Sequence, residues 1–562
     1  MKIFKGKAGA PGITAGRVLY YEKTENKRKA KDFDEAVSMA LEKIGALHKK
    51  ALDKFGEENA KIFAAYEMLL GDPALHKMIK TEIDNGTEAA QAVKVVTDKM
   101  ASVLETKKNE YMRQRAEDIR YVGGILSDML NGTSNDFSFP EGSEKYILAA
   151  YELTPVDTML FDHSRLAGLV TEKGGTTSHT VILAKSMGIP AVVGAQNLRD
   201  AYSEDEIAFL DGYSGTLTAF PDEKTKEKYN ELIKEEEALN AQLEKIKQTD
   251  AQTKDGKRIA VAINIGSPAD LKNIGNEHFD GVGLFRTEFL YSSASEKPSQ
   301  KEQYEAYKKV MDAVYPRPVT IRTIDVGGDK QISYLNMKKE ENPFLGSRGI
   351  RLCMDNPQIF SEQIEAILTA GADKEVRIML PMITSVEEIK KTREIIDNVK
   401  AKLDRENTKY TNRLLLGIMI ETPAAAIMAD VFAKYSDFFS IGTNDLVQYI
   451  TASDRGNADV EYVYNPFNPA VLKMLAYVIK SGNDAKIEVS ICGDLAANTD
   501  FTKLLLGMGL KKFSVPLPLA GRIKHKIAET DVKSAQLLAK KVLSAEDENE
   551  ALEIIRKESK EK

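Results

Sequence analysis

Tryptophan is missing from this chain and cysteine nearly so: its 562 residues include no Trp, two Cys and six His. The two thiols, Cys353 and Cys492, lie far apart with no Cys-x-x-Cys spacing. That excludes a disulfide scaffold and a thiolate metal site, and fits a reducing compartment. Positive charge is not in excess either: 78 Lys and Arg stand against 85 Asp and Glu, a formal charge of −7. This balance argues against nucleic acid as a partner and against an acidic membrane surface. Any anionic ligand must then be held by a local pocket. No apolar run reaches membrane-spanning length, and Met1 to Gly16 mixes charge, glycine and proline unlike an export signal. The expectation is a cytoplasmic protein with no membrane insertion and no nucleic acid.

The content that is present, 43% hydrophobic and 29% charged residues, is that of ordinary folded domains. Length allows three or four of them at ~150 residues each. Residues 1–22 carry a short β pattern broken by Gly6, Gly9, Pro11-Gly12 and Gly16. From Asp32 to Asn131 apolar residues recur every three or four positions, which predicts about four helices, with breaks at Gly71-Asp72-Pro73 and Asn85-Gly86. Strand and helix signals alternate again over 145–221. The 32–131 stretch therefore reads as a helical domain inserted into an α/β domain formed by 1–22 plus 145–221. Residues 222–248, dense in Glu and Lys with one stripe of Leu232, Leu239, Leu243 and Ile246, read as a linker helix or a plain surface helix.

From 250 to 540 strands and helices repeat. The predicted strands are Ile259–Ile265, Val282–Arg286, Val319–Thr323, Val376–Pro381, Leu416–Glu421, Phe438–Gly442, Val489–Gly493 and Phe513–Val515. About eight such units fit a closed (β/α)8 TIM-type barrel, with an open doubly wound sheet as the competitor. Residues 541–562 read as a C-terminal helix. The fold class is multidomain α/β.

Two places carry chemistry. In Gly174-Gly175-Thr176-Thr177-Ser178-His179 a histidine stands between a glycine-rich loop and a helix over Thr180–Met187, stopped by Gly188 and Pro190. Glycines allow close backbone approach to an anion, and helix-start N–H groups favour negative charge. A capped helix with an idle histidine is the alternative. The second place is the set of strand ends in the barrel: Arg286, Arg322, Glu421, Asn444-Asp445 and Cys492, with Arg348 in the following loop. Guanidinium forks match carboxylate and phosphate oxygens. Glu421 with Asp445 offers the one or two carboxylates that Mg²⁺ prefers beside phosphate oxygens. The implied ligand is small and carries both phosphate and carboxylate, as phosphoenolpyruvate does. Cys492 is either a buried structural thiol or a general acid beside an enolate.

These residues lie in longer motifs: GGTTSHTVILAKSMGIPAVVG at 174–194, GVGLFRTEFLY at 281–291, RTIDVGGDK at 322–330, ENPFLGSRGIR at 341–351, GIMIETPAAA at 417–426, FFSIGTNDLVQY at 438–449, SDRGN at 453–457 and CGDLA at 492–496. In this order, over roughly 1–530, the chain resembles Enzyme I, the phosphoenolpyruvate-protein phosphotransferases of the bacterial sugar phosphotransferase system. The resemblance implies that His179 is the phosphorylated nucleophile. It implies that Arg286, Arg322, Arg348, Asn444 and Arg455 hold phosphoenolpyruvate, that Glu421 and Asp445 bind Mg²⁺, and that Cys492 protonates the enolate. It further implies a swivelling phosphohistidine domain, a helical insert that docks the carrier HPr, and a homodimer formed through the barrel. Met68, Leu69 (with Leu70), Leu75, Met112, Arg113 and Arg115 then become a candidate carrier surface, although the pattern equally suits bundle core and solvated face. The chain departs from the family pattern at Thr176, Lys185, Ser347 and Asp494, and over Val515–Pro518. A phosphate dikinase shares the histidine and barrel parts. It needs a nucleotide domain, and the stretch before Lys145 has no Gly-x-x-x-x-Gly-Lys-[Ser/Thr] loop. A non-catalytic sensor needs neither nucleophile nor proton donor.

Overall fold

The computed structural model describes the chain except for residues 22–23, 26–28, 56, 106–109, 135–138, 154–156, 158–160, 175–179, 182–183, 185–186, 204–205, 276, 293–295, 329–331, 333, 335–339, 456, 458–459, 461 and 561–562. The chain divides into two compact units, Met1–Ala238 and Leu239–Lys562.

The first unit is built on an eight-stranded mixed sheet. Its strands are β1 (Lys2–Lys5), β2 (Lys7–Ala10), β3 (Ile13–Tyr21), β6 (Tyr146–Ala150), β7 (Leu166–Thr171), β8 (Ala191–Val193), β9 (Ile207–Asp211) and β10 (Thr216–Ala219). The spatial order is β1-β10-β9-β3-β6-β7-β8-β2. Both β6 and β7 are buried along their whole length, as central parallel strands covered on both faces must be. Strand β3 pairs in parallel with β6, Arg17 opposite Tyr146 and Tyr21 opposite Ala150. The helical stretch is thus an excursion that leaves and re-enters between neighbouring strands. A short ribbon closes its base, β4 (Thr24–Glu25) against β5 (Thr133–Ser134).

Among the described residues the excursion shows five helical stretches where about four helices are expected: Phe33–Phe55, Glu57–Leu70, Pro73–Asp84, Ala89–Glu105 and Glu110–Asn131. The break at Asp72-Pro73 is as expected. Asp72 caps the next helix by accepting a hydrogen bond from the Ala74 amide (2.8 Å), and Pro73 takes the first helical position. Phe33, Ile44, Phe63, Tyr66, Leu75, Ile79, Val93, Val122 and Leu126 form the bundle's own core.

The second unit is a closed barrel. Its strands are β12 (Arg258–Ile265), β13 (Val282–Phe285), β14 (Val319–Arg322), β15 (Glu375–Leu380), β16 (Arg413–Ile420), β17 (Phe438–Gly442), β18 (Glu488–Cys492) and β19 (Lys512–Pro516), preceded by a short β11 (Ala251–Gln252). Each of β12 to β18 pairs in parallel with its successor, and β12 closes on β19 with Val261 opposite Phe513. That closure excludes the open doubly wound sheet. All eight strands fall within about three residues of their sequence assignments.

Before the barrel, helix Glu223–Lys247 buries Leu243 alone. Its C-terminal end is held by the buried Lys524 ammonium, which donates to the carbonyls of Lys247 (3.0 Å) and Thr249 (2.9 Å), a cation where the helix dipole is negative. After the barrel, a single helix over 541–562 was the expectation. Instead Val532–Val542 ends, a turn follows, and Glu548–Lys560 begins, with Asp547 accepting from the Glu550 amide (2.9 Å). Ala551 and Ile555 then pack into the barrel's outer core. Among the described residues no helix is long and apolar enough to cross a membrane.

Candidate active site

At the C-terminal mouth of the barrel is a cavity of about 300 Å³, lined by Leu284, Arg286, Arg322, Asp325, Gly327, Arg348, Met419, Glu421, Gly442, Asn444, Asp445, Arg455, Cys492, Gly493 and Asp494. Eight of these were singled out from sequence as barrel site residues. They meet because parallel strands deliver their last residues to one end. Arg286 follows β13, Arg322 ends β14, Glu421 follows β16 and Cys492 ends β18. Asn444 and Asp445 open the helix Thr443–Thr451 after β17.

The deep part of the cavity is a lattice of buried charge. Arg348 forks onto Asp325 (Nε to Oδ1 3.0 Å, Nη2 to Oδ2 3.1 Å) and onto Asp445 (Nη1 to Oδ1 3.0 Å, Nη2 to Oδ2 3.1 Å). Arg322 donates from Nη2 to Glu288 (2.9 Å) and pairs through Nη1 with Asp325 Oδ2 (2.9 Å). Burial alone pulls both guanidiniums toward neutrality. The carboxylates outweigh it and hold them above their ordinary range, with Glu288 and Asp325 acting on Arg322, and Asp325 and Asp445 on Arg348.

Two buried polar atoms of this lattice lack a partner among the described residues, Arg322 Nε and Glu421 Oε2. Glu421 accepts from the Met382 amide through Oε1 (2.7 Å). Burial, then the Asp445 and Asp325 charges, push its carboxyl up to about 8. An orphaned, buried carboxylate oxygen beside a second carboxylate is a donor set that fits a hard divalent cation, since each oxygen of Asp445 keeps a lone pair beyond its bond to Arg348.

At the rim the charges are not spent. Arg286 and Arg455 are exposed, and neither has an ion-pair partner among the described residues. Asn444 accepts from the Asp494 amide through Oδ1 (2.9 Å), and its carbonyl receives Tyr464 Oη (3.2 Å). Cys492 on the floor is buried. Its thiol donates to the Ile441 carbonyl (3.4 Å) and receives Ser440 Oγ (3.5 Å). Burial pushes this thiol up, only partly offset by Ser440, so it stays protonated at neutral pH. Gly493, at φ 85°, has no room for a Cβ, which would lie 2.5 Å from Thr443 Oγ1 and 2.7 Å from Asn444 Oδ1.

Sequence reasoning missed Asp325 and Glu288, the carboxylates that hold the two buried arginines. Their signal was an acidic residue three positions after Arg322 inside RTIDVGGDK, and another two after Arg286. His179 lies outside the described residues, as do Thr176 and Lys185. Around them, Thr180, Val181, Ala184 and Met187 are helical and Gly188 follows at φ 66°, as a helix stopped by glycine requires.

The candidate carrier surface divides. Met68 is 78% exposed, Leu69 is partly buried against the bundle core, and Arg115 pairs with Asp118 (3.3 Å). The side chains of Met112 and Arg113 lie outside the described residues. Leu75 is a correction. It is 2% exposed and packs in the bundle core, because the helix begun at Pro73 turns that position inward.

One other group of metal-type ligands, Asp250, His278 and Asp280, comes together among the described residues. Arg258 already sits between its two carboxylates, which removes the charge that would attract an ion.

Comparisons with known proteins identify the family. Models of three PEP-utilising-enzyme domains match the chain: the PEP-binding domain over residues 240–532, the mobile domain over 142–215 and the N-terminal domain over 5–115. A Listeria innocua protein named phosphoenolpyruvate-protein phosphotransferase is 38% identical across 99% of both chains. Proteins of the same name are similar over as much of this chain, from Bacillus subtilis at 35% identity and from Mycoplasma capricolum at 36%.

Proposed function

The chain belongs to the phosphoenolpyruvate-protein phosphotransferase family of PEP-utilising enzymes, and from that premise we propose that it moves the phosphoryl group of phosphoenolpyruvate first to its own His179 and then to a histidine of HPr. It is an enzyme of phosphoenolpyruvate-dependent phosphotransfer. The observation that carries the residue-level reading is the convergence of Arg286, Arg322, Arg348, Glu421, Asn444, Asp445, Arg455 and Cys492 on one cavity.

The rim arginines, Arg286 and Arg455, are the ones without carboxylate partners among the described residues, and take the first hold on the incoming anion. Arg322 offers its unpartnered Nε, and Asn444 adds its side-chain amide. Glu421 and Asp445 would hold Mg²⁺, which when bound supplies neutralising charge to the phosphoryl oxygens. Such preorganised positive groups do most of the work of phosphoryl transfer. A ring nitrogen of His179 attacks phosphorus in line. The P–N bond forms as the P–O bond to the enol oxygen breaks, and the enolate keeps the electron pair. The Cys492 thiol, protonated because it is buried, gives its proton to the methylene carbon, and pyruvate leaves. His179 must then meet HPr, so the 145–221 segment has to travel between two partners, with the 222–248 helix as its tether. Tethering keeps the local histidine concentration at ~mM. The exposed Met68 face of the helical excursion is the carrier surface in this reading. The enzyme acts in the cytoplasm as a homodimer joined through the barrel.

The test is purified protein with labelled phosphoenolpyruvate and Mg²⁺, without ATP, wild type against His179→Ala. Acid-labile, alkali-stable label on wild type alone, passed to added HPr, is the expected result. Label that needs ATP, or that survives loss of His179, sinks the proposal.

A further inference from the structure

We infer that Asp325 is a positioning residue for phosphoryl transfer: its carboxylate bridges Arg322 and Arg348, fixing the Arg348 guanidinium plane and tying Arg322 to it at the cavity, without holding substrate itself. The inference rests on the phosphoenolpyruvate reading above.

Three contacts carry it. Arg348 reaches both Asp325 oxygens (3.0 and 3.1 Å), and Arg322 Nη1 shares Oδ2 (2.9 Å). The Asp325 side chain is 2% exposed. A fork onto two oxygens fixes the plane of a guanidinium, not merely its distance. Local backbone is shaped around this bridge. Gly327, at φ 116°, follows β14, and a Cβ there would lie 2.9 Å from Arg348 Cβ and 2.6 Å from the Ser347 carbonyl. Only a bare backbone lets the Arg348 loop come in against the turn that bears Asp325.

Neutralisation does not account for this carboxylate. Arg322 already has Glu288 and Arg348 already has Asp445. A third buried negative charge in a cavity built for an anion weakens ground-state binding. What it supplies is geometry. It couples the two arginines into one rigid unit and leaves Arg322 Nε, with no partner among the described residues, available to the transferring group. Interactions that act by orientation show in the rate of the chemical step rather than in affinity.

The experiment measures pyruvate release from phosphoenolpyruvate by the full-length protein, with HPr in excess as phosphoryl acceptor, for wild type, Asp325→Asn and Asp325→Glu. A single-turnover burst counts competent molecules and a thermal melt reports folding. For Asp325→Asn the expected result is kcat lowered about 100-fold per competent molecule. Its KM should be unchanged or roughly tenfold lower, because one negative charge has left the cavity. Asp325→Glu restores the charge but displaces it by a methylene, so kcat falls and KM does not tighten. The inference is overturned if kcat and KM of both variants stay within about twofold of wild type. It is equally overturned if the loss of rate only tracks a smaller burst, or if KM rises along with it, which is what a loop-holding role would give. Should Asp325→Asn fail to fold, Asp325→Glu decides alone, a kcat within about twofold of wild type being the refuting result. Wild type that releases no pyruvate overturns the phosphoenolpyruvate reading itself, an outcome distinct from any difference between variants.

Discussion

Both ends of the barrel carry charged side chains, and they use them in opposite ways. At the N-terminal end the first residues of the strands meet. Lys512 pairs with Glu488 (2.8 Å), Arg377 with Glu488 (2.6 Å) and Glu375 (2.9 Å), and Arg413 with Glu375 (2.9 Å). Every one of these charges has an opposite neighbour. Between the ends lies an apolar plug of Leu284, Met379, Met419, Phe438 and Cys492. Above the plug the pattern changes: Arg322 Nε and Glu421 Oε2 are buried with no partner among the described residues, and Arg286 and Arg455 stand exposed at the rim. A finished network closes a barrel, and an unfinished one is completed by a ligand. The same fold thus separates stability from chemistry by the polarity of its strands.

Substitutions at the two ends should therefore separate activity from stability. The largest effect is expected from Arg286→Ala. It should lower kcat/KM for phosphoenolpyruvate about 10⁴-fold (~5 kcal/mol) through lost charge stabilisation, while the melting midpoint stays put. A parallel loss of stability would show that the rim is structural after all.

Next is Glu421, whose carboxyl stays protonated up to about 8 while a free one ionises near 4.5. Between those values the folded state binds a proton that the unfolded state has released. Its contribution to stability is therefore greatest below about 4.5 and is lost as pH rises through about 8. In chelator, wild type should lose about 4 kcal/mol relative to Glu421→Gln across that window. Denaturant titrations at several pH values measure this, and a flat difference would remove the orphaned carboxyl from the account.

The smallest effect belongs to the opposite end. Glu488→Ala leaves the buried Lys512 ammonium without its partner and should cost about 3 kcal/mol, with kcat per folded molecule unchanged. The pH response there has the other sign. Lys512 and Arg377 outweigh burial and hold the Glu488 carboxyl below its ordinary value, so its contribution is present above about 4.5 and disappears as pH falls below it. Acid denaturation compared between wild type and the variant reads this directly.

Residue types alone brought the argument a long way. Alternating apolar runs of the right length marked all eight barrel strands, because buried parallel strands tolerate little else. Arg286, Arg322, Glu421, Asp445 and Cys492 were legible for the same reason, as polar residues standing where an apolar strand ends. Leu75 was misplaced because a surface patch and a bundle core share one spacing, and only packing tells which face is inward.

What the sequence by itself determined is the set of local facts: strand and helix identity, and the chemical types at strand ends. Each depends on one residue and its near neighbours. Closure of β12 on β19 depends on chain segments some 250 residues apart. The bridge from Asp325 through Arg348 to Asp445 joins residues 23 and 97 positions apart, and the isolation of Glu421 Oε2 from every donor among the described residues likewise depends on distant segments. Those were decided by the tertiary structure, because burial, and with it the strength of each charge and the cost of leaving it unpaired, exists only once the barrel has closed around them.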